Sequence, residues 1–256
     1  MAVDLVAKNI VQVFENENRE DVCALKGFNF ETHEPEIVGI VGLSGCGKST
    51  FLRLVAGLDT PTSGELLYNG KPIEGPEYNR GFIFQSATLY DWLNIYDNIA
   101  FGLKARKVLK GNEHKVNEYI ELMGLKGFEK SYPHQISGGM AARASIARTF
   151  IQEPELVLLD EPLSALDAFT RMSIQNELLK IHEKTKSTFI LVTHDLEEAV
   201  FLCDRVVVMT QRPGKNVGEI KIDLEHPRDR TSAEFIEYRK RILELFPKEF
   251  RERIEI

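Results

Sequence analysis

Short apolar runs punctuated by helix-like stretches dominate the hydropathy pattern of this chain. Residues 37–41, 81–84, 156–159, 188–192 and 206–209 are brief, nearly continuous apolar runs, the pattern of strands buried on both faces. Helical segments separate several of them, which predicts an α/β fold around a mostly parallel sheet. Nearer the N-terminus the pattern is different. Residues 3–14 and 22–32 are extended and β-prone, separated by the polar stretch 15–21, and 64–70 reads as a further strand ending in an Asn69-Gly70 turn. Together these predict an N-terminal antiparallel β subdomain. From Gln85 to Ser137 the period becomes helical. Asn94 can cap a helix with Asp97 three residues on and Ile95, Ile99 and Leu103 on one face. Val116, Tyr119, Ile120 and Met123 mark another helix, ended by Gly124. This helical insertion and the helix after it define a helical subdomain at about 86–150. A last amphipathic helix is expected at 232–246, within a tail running from about 212 to 256.

The length of 256 residues allows one large domain or a core with a subdomain. A net charge of −7 argues against a nucleic-acid partner, which would favour a basic face. No apolar run approaches the roughly 18 residues that cross a bilayer, and the N-terminus lacks a secretory pattern. Three scattered cysteines, Cys23, Cys46 and Cys203, suit free thiols in a reducing compartment.

Candidate chemistry concentrates after the first core strand. Gly42-Leu43-Ser44-Gly45-Cys46-Gly47-Lys48-Ser49-Thr50 is a G-x-x-x-x-G-K-[ST] loop with a strand before it and a helix after. Its glycines let backbone N–H groups converge on a phosphate, and the helix N-terminus adds partial positive charge. Lys48 can reach β and γ phosphates, and the Ser49 hydroxyl can bind Mg²⁺. Cys46 reads as a small loop residue rather than a reactive thiol. Leu156-Val157-Leu158-Leu159-Asp160-Glu161 is a strand ending in two carboxylates. Asp160 is placed to hold Mg²⁺ and Glu161 to orient or deprotonate a water; two solvated acids after a buried strand is the plainer alternative. Ser137-Gly138-Gly139-Met140 precedes a strong helix former. Ser137 is the natural cap, and two first-turn glycines expose N–H groups, a second half-site for phosphate.

In this order the motifs resemble the nucleotide-binding subunit of an ATP-binding cassette (ABC) transporter, over nearly the full length. The loop at 42–50 matches the Walker A loop and 156–160 the Walker B strand. Gln85 matches the Q-loop glutamine, Ser137 to Met140 the signature, Ser164-Ala165-Leu166-Asp167 the D-loop, and His194 in Thr193-His194-Asp195 the switch histidine. Singly, Gln85 or His194 would more often be structural. The resemblance implies a P-loop NTPase core. It also implies ATP and Mg²⁺ as ligands, and two copies closing head to tail with ATP between one copy's Walker A and the other's signature. It assigns Ser137, Gly138, Gly139, Met140 and Asp167 to the partner's nucleotide, Ser49, Gln85 and Asp160 to Mg²⁺, and catalysis to Glu161, His194 and Gln85. Phe14 is the candidate aromatic for stacking on adenine, or else a core residue at a strand end. Met140 stands where many relatives have glutamine, and Ala141-Ala142 lacks a common polar pair.

The segment Leu89-Tyr90-Asp91-Trp92-Leu93-Asn94-Ile95 and Arg212-Pro213-Gly214 resemble importers of the nitrate, sulfonate and taurine group. That likeness implies permease subunits, a solute-binding protein in the full system and a peripheral place on the cytoplasmic face of the membrane. Trp92 would sit near the permease, or else anchor the helical insertion. No separate regulatory domain of the sugar-importer kind is expected after residue 246. Phospholipid trafficking or export, and a soluble regulatory ATPase, are the alternatives.

Overall fold

Two sheets with a helix between them form the centre of the molecule. The structure is a computed structural model that describes residues 3–15 and 20–248. Most of the polar stretch after β1, the chain before residue 3 and the end of the tail lie outside the described residues. In chain order the strands are β1 (Leu5–Phe14), β2 (Val22–Thr32), β3 (Ile37–Val41), β4 (Ser63–Tyr68), β5 (Lys71–Pro72), β6 (Arg80–Ile83), β7 (Leu156–Asp160), β8 (Thr188–Thr193), β9 (Arg205–Met209) and β10 (Asn216–Lys221). The helices are α1 (Lys48–Ala56), α2 (Ile95–Ala105), α3 (Glu113–Leu122), α4 (Gly138–Phe150), α5 (Ala168–Thr185), α6 (Leu196–Leu202) and α7 (Ala233–Glu244).

The larger sheet has the order β10-β9-β3-β8-β7-β6, parallel from β9 through β6, with β10 antiparallel at its edge. The smaller is antiparallel, β2-β1-β4-β5, and its β4–β5 turn places Asn69 and Gly70 at φ 50 and 73. Such left-handed pairs suit the twist of a tight hairpin. Side chains alternating along β3 serve two cores. Val38 and Ile40 meet α1 and the antiparallel sheet, whereas Ile37 and Val41 meet the helices on the opposite side. Phe51 on α1 seals the first core, its ring 4.8 Å from Phe28 and 5.2 Å from Phe30. Burying such an aromatic contributes about 2–3 kcal/mol, so α1 and the loop before it are held from both sheets.

The caps expected at Asn94 and Ser137 are present, and Ser232 caps the last helix in the same way. Asn94 accepts from the Asp97 N–H at 2.7 Å, Ser137 from Met140 at 3.3 Å and Ser232 from Phe235 at 3.2 Å. Gly124, at φ 62, ends α3. The strand expected to include Phe84 stops at Ile83; Phe84 is 38% exposed and its ring packs, tilted, 4.4 Å from that of Phe82. Arg228, buried, donates to the carbonyls of Val200 and Cys203, both at 2.6 Å, and so fastens the C-terminal segment to the end of α6.

Candidate functional site

The loop at 42–47 leaves the C-terminal end of β3 and feeds straight into α1. Gly47 sits at φ 106, and a Cβ there would meet the Ala24 carbonyl oxygen at 2.8 Å. Glycine is therefore required twice over, by backbone conformation and by space. Lys48, 4% exposed, folds back over the loop and donates to the carbonyls of Gly42 (2.9 Å) and Leu43 (3.1 Å). Burial raises the Cys46 thiol above its ordinary value, so this cysteine is a packed neutral residue, as read from the sequence.

The two carboxylates stand at the C-terminal end of β7, the strand next to the β6 edge of the larger sheet. Ser49 Oγ donates to Asp160 Oδ1 at 2.8 Å. Burial raises the Asp160 carboxyl, against the lowering effect of that hydrogen bond. A group whose ionised form is penalised by burial gains from a nearby cation, and serine and aspartate oxygens are the hard donors that Mg²⁺ takes. The residues present fit such an ion.

Glu161 carries the least expected geometry. Its φ is 44, in the left-handed region, which costs a non-glycine residue on the order of 1–2 kcal/mol. Three bonds hold it there. Its N–H donates to Val192 O (3.0 Å), and its carbonyl accepts from the Ser164 N–H (3.2 Å) and hydroxyl (2.9 Å). The bend aims the carboxylate at the loop. His194 Nδ1 lies 3.0 Å from Oε2, Gln85 Nε2 donates to Oε2 at 3.5 Å, and Lys48 Nζ is 3.8 Å from Oε1. Four motifs that are distant in sequence thus meet at one carboxylate.

A cavity of about 350 Å³ opens here, lined by Phe14, Val22 and Ala24 and by Gln85 and Glu161. Ser44, Gly45, Gly47, Lys48, Ser49 and Thr50 of the loop also line it. Phe14 is 42% exposed there, not a core residue. Arg212 also lines the cavity; its place was not legible from sequence, where it stood only in a subfamily-like tripeptide.

The remaining candidates lie elsewhere. None of Ser137, Gly138, Gly139, Met140 and Asp167 lines this cavity. Ser137 and Gly138 are exposed at the start of α4, and the first intrahelical donor there is Ala141. The Gly138 and Gly139 N–H groups therefore have no intrahelical partner. Met140 packs partly buried against the helical core, which gives its thioether side chain a structural place. Asp167 caps α5, and hydrogen bonds from Thr170 hold its carboxyl below the ordinary range.

Residues 25–164 match the family model described as ABC transporter. The chain belongs to the ABC transporter family. An uncharacterized ABC transporter ATP-binding protein of Methanocaldococcus jannaschii is 50% identical over 251 residues, 97% of this chain and 93% of that protein. The aliphatic sulfonates import ATP-binding protein of Bacillus subtilis is 43% identical over 97% of this chain and 95% of its own length. The taurine import ATP-binding protein of Pelagibacter ubique is 44% identical over 83% of this chain and 80% of its own. Among solved structures, the dimeric post-hydrolysis state of the ATP-binding cassette MJ0796 bound to ADP and Pi superposes with a TM-score of 0.76. It is 29% identical and covers 86% of this chain and all of that one. The fold is thus that of an ABC cassette, with a mostly parallel core and an antiparallel subdomain.

In this ABC cassette the segment after Gln85 is tied to α4. Arg148 on α4 donates to the Thr88 carbonyl (2.7 Å) and hydroxyl (3.1 Å). Asn98, fully buried, accepts from the Tyr90 N–H and donates to the carbonyls of Tyr90, Leu93 and Asn94. These bonds present Trp92, which is 73% exposed, with Tyr90 at 5.2 Å. Trp92 is therefore not an anchor of the helical core. Among the described residues no helix is long and apolar enough to cross a membrane.

Proposed function

We propose that this chain is the ATP-hydrolysing subunit of an importer for a small sulfonate or similar anionic solute. The observation that carries the reading is the convergence on Glu161: a carboxylate held in strained backbone, within reach of His194, Gln85 and Lys48, above a phosphate loop. The curated relatives named for sulfonate and taurine import support the solute class.

Phe14 stacks on the adenine and the loop N–H groups with Lys48 hold the phosphates. Ser49, Gln85 and Asp160 would hold Mg²⁺, which would supply positive charge to offset that of the phosphates. Glu161 orients a water toward the γ-phosphate and accepts its proton, and His194 steadies Glu161 and the phosphoryl oxygens. The signature of a second copy closes the site, its Ser137, Gly138 and Gly139 N–H groups meeting the γ-phosphate and its Asp167 lying across the interface. The separation of these residues from the cavity on one chain supports that arrangement, as does the dimeric state of the MJ0796 cassette. Permease subunits dock on the face carrying Trp92, at the cytoplasmic side of the membrane, and a solute-binding protein delivers the solute.

Two measurements test this reading. Purified protein should hydrolyse Mg·ATP, and affinity purification from solubilised membranes should recover a multi-helix permease; a chain active on ATP but recovered with no membrane protein would refute the transporter assignment. Separately, Met140→Gln should change the ATPase rate by no more than about threefold, under 1 kcal/mol in barrier, because the signature acts through backbone N–H groups. A larger change would show that the side chain itself takes part.

A further inference from the structure

Arg212 lies in the segment after β9, well past the last of the family motifs in the chain, yet its side chain lines the cavity over the phosphate loop. Its turn is fixed entirely by other groups. The Thr210 hydroxyl donates to Pro213 O at 3.1 Å and accepts from the Lys215 N–H at 3.0 Å, while the Thr210 N–H donates to Lys215 O at 2.9 Å. The turn is also stitched to β2. Gly214 N–H donates to Ala24 O at 2.8 Å, and Gly214 O accepts from the Lys26 N–H at 3.2 Å. Gly214 lies so close to the loop that a Cβ there would collide with the Cys46 carbonyl. This packing holds the turn that carries residue 212 against β2 at Ala24 and against the loop at Cys46.

The guanidinium is not part of the bonding that fixes this turn. Among the described residues it makes no hydrogen bond or ion pair, and the side chain is exposed to the cavity. A fixed backbone that delivers into a cavity a guanidinium with no partner among the described residues is the arrangement expected of a ligand contact. Arginine presents a planar fork of donors that fits a phosphate bidentately, and it carries its charge at any working pH. Lys48 serves the β and γ phosphates from the loop. Arg212 comes in on a turn bonded to Ala24, on the strand whose Val22 pairs with Phe14, and so on the side of the adenine contact proposed for Phe14.

We propose that Arg212 binds the nucleoside end of ATP, donating where the ribose meets the α-phosphate. The inference rests on the reading of the loop as an ATP site. It adds a second cation to that site, supplied by a segment outside the phosphate loop. The subdomain strand β2, the turn at 210–215 and the loop would then act as one unit around the nucleotide.

The test compares equilibrium binding of Mg·ATP and of inorganic pyrophosphate, which spans only the β and γ positions, to the wild-type chain and to Arg212→Ala. Arg212→Ala should weaken ATP binding about tenfold and leave pyrophosphate within about twofold, as loss of one partly exposed charge-assisted contact implies. The proposal is overturned if ATP affinity falls less than about threefold. It is equally overturned if pyrophosphate weakens as much as ATP, which would make Arg212 a general source of positive field. If the wild-type chain binds no ATP, the nucleotide reading itself fails; if it binds ATP and Arg212→Ala matches it, only the role of Arg212 fails.

Discussion

Replacing Lys48 with alanine should abolish tight ATP binding, with a loss of about 100-fold or more. Lys48 is desolvated at 4% exposure, and its ammonium bridges the Gly42 and Leu43 carbonyls beneath the cavity. Removing one partner of a buried charge pair costs about 3–5 kcal/mol, because the remaining charge stays unpaired in a poorly screened site. Here the unpaired charge would be the β/γ phosphate group. The same change strips a donor from two loop carbonyls, which costs the fold about 1–3 kcal/mol. The two effects separate cleanly. The stability cost appears as a lower melting midpoint without nucleotide. The affinity loss appears in titrations performed well below that midpoint. Unchanged nucleotide affinity in the folded variant would refute the assignment of the loop.

The second large effect belongs to Glu161→Gln. Glutamine keeps the shape of the side chain and can still bond His194 and Gln85, so nucleotide binding should persist. It cannot accept a proton from water. Loss of general-base assistance lowers rates by about 10²–10⁴, so hydrolysis should fall at least a hundredfold while ATP affinity stays within a few-fold. The strained backbone at this position, with its three supporting bonds, should be preserved, since both residues face the same left-handed cost. Turnover at the wild-type rate would show that another group activates the water.

The parts of the fold that the sequence revealed are those where one local rule suffices. Val38, Ile40 and their neighbours had to be a buried strand because every position is apolar. Asn94 and Ser137 announced helix starts by side chains that compete for backbone N–H groups. The edge strand β10 escaped notice because Ile220 is its one buried residue, leaving no clean alternation to read. Phe84 was drawn into a strand by its apolarity, although it is half-exposed and packs its ring at a tilt against Phe82. The site was legible as a set of motifs but not as geometry. Nothing local indicates that Glu161 takes a left-handed backbone. That conformation depends on Val192 and Ser164, one on a neighbouring strand and one in the following loop. Arg212 was hidden for the same reason. Its place in the cavity follows from tertiary bonds between Gly214 and β2, which no sequence pattern encodes.

The central claim is that one chain holds half of a site and a second copy supplies the rest. Its most direct test is the solution mass of Glu161→Gln, measured with and without saturating Mg·ATP. The expected result is a particle of 29.1 kDa without nucleotide that doubles in mass when ATP is added. It should return to the single mass when ATP is replaced by ADP, which lacks the phosphate that Ser137, Gly138 and Gly139 are assigned to hold. A variant that binds ATP yet keeps the mass of one chain at every concentration would contradict it.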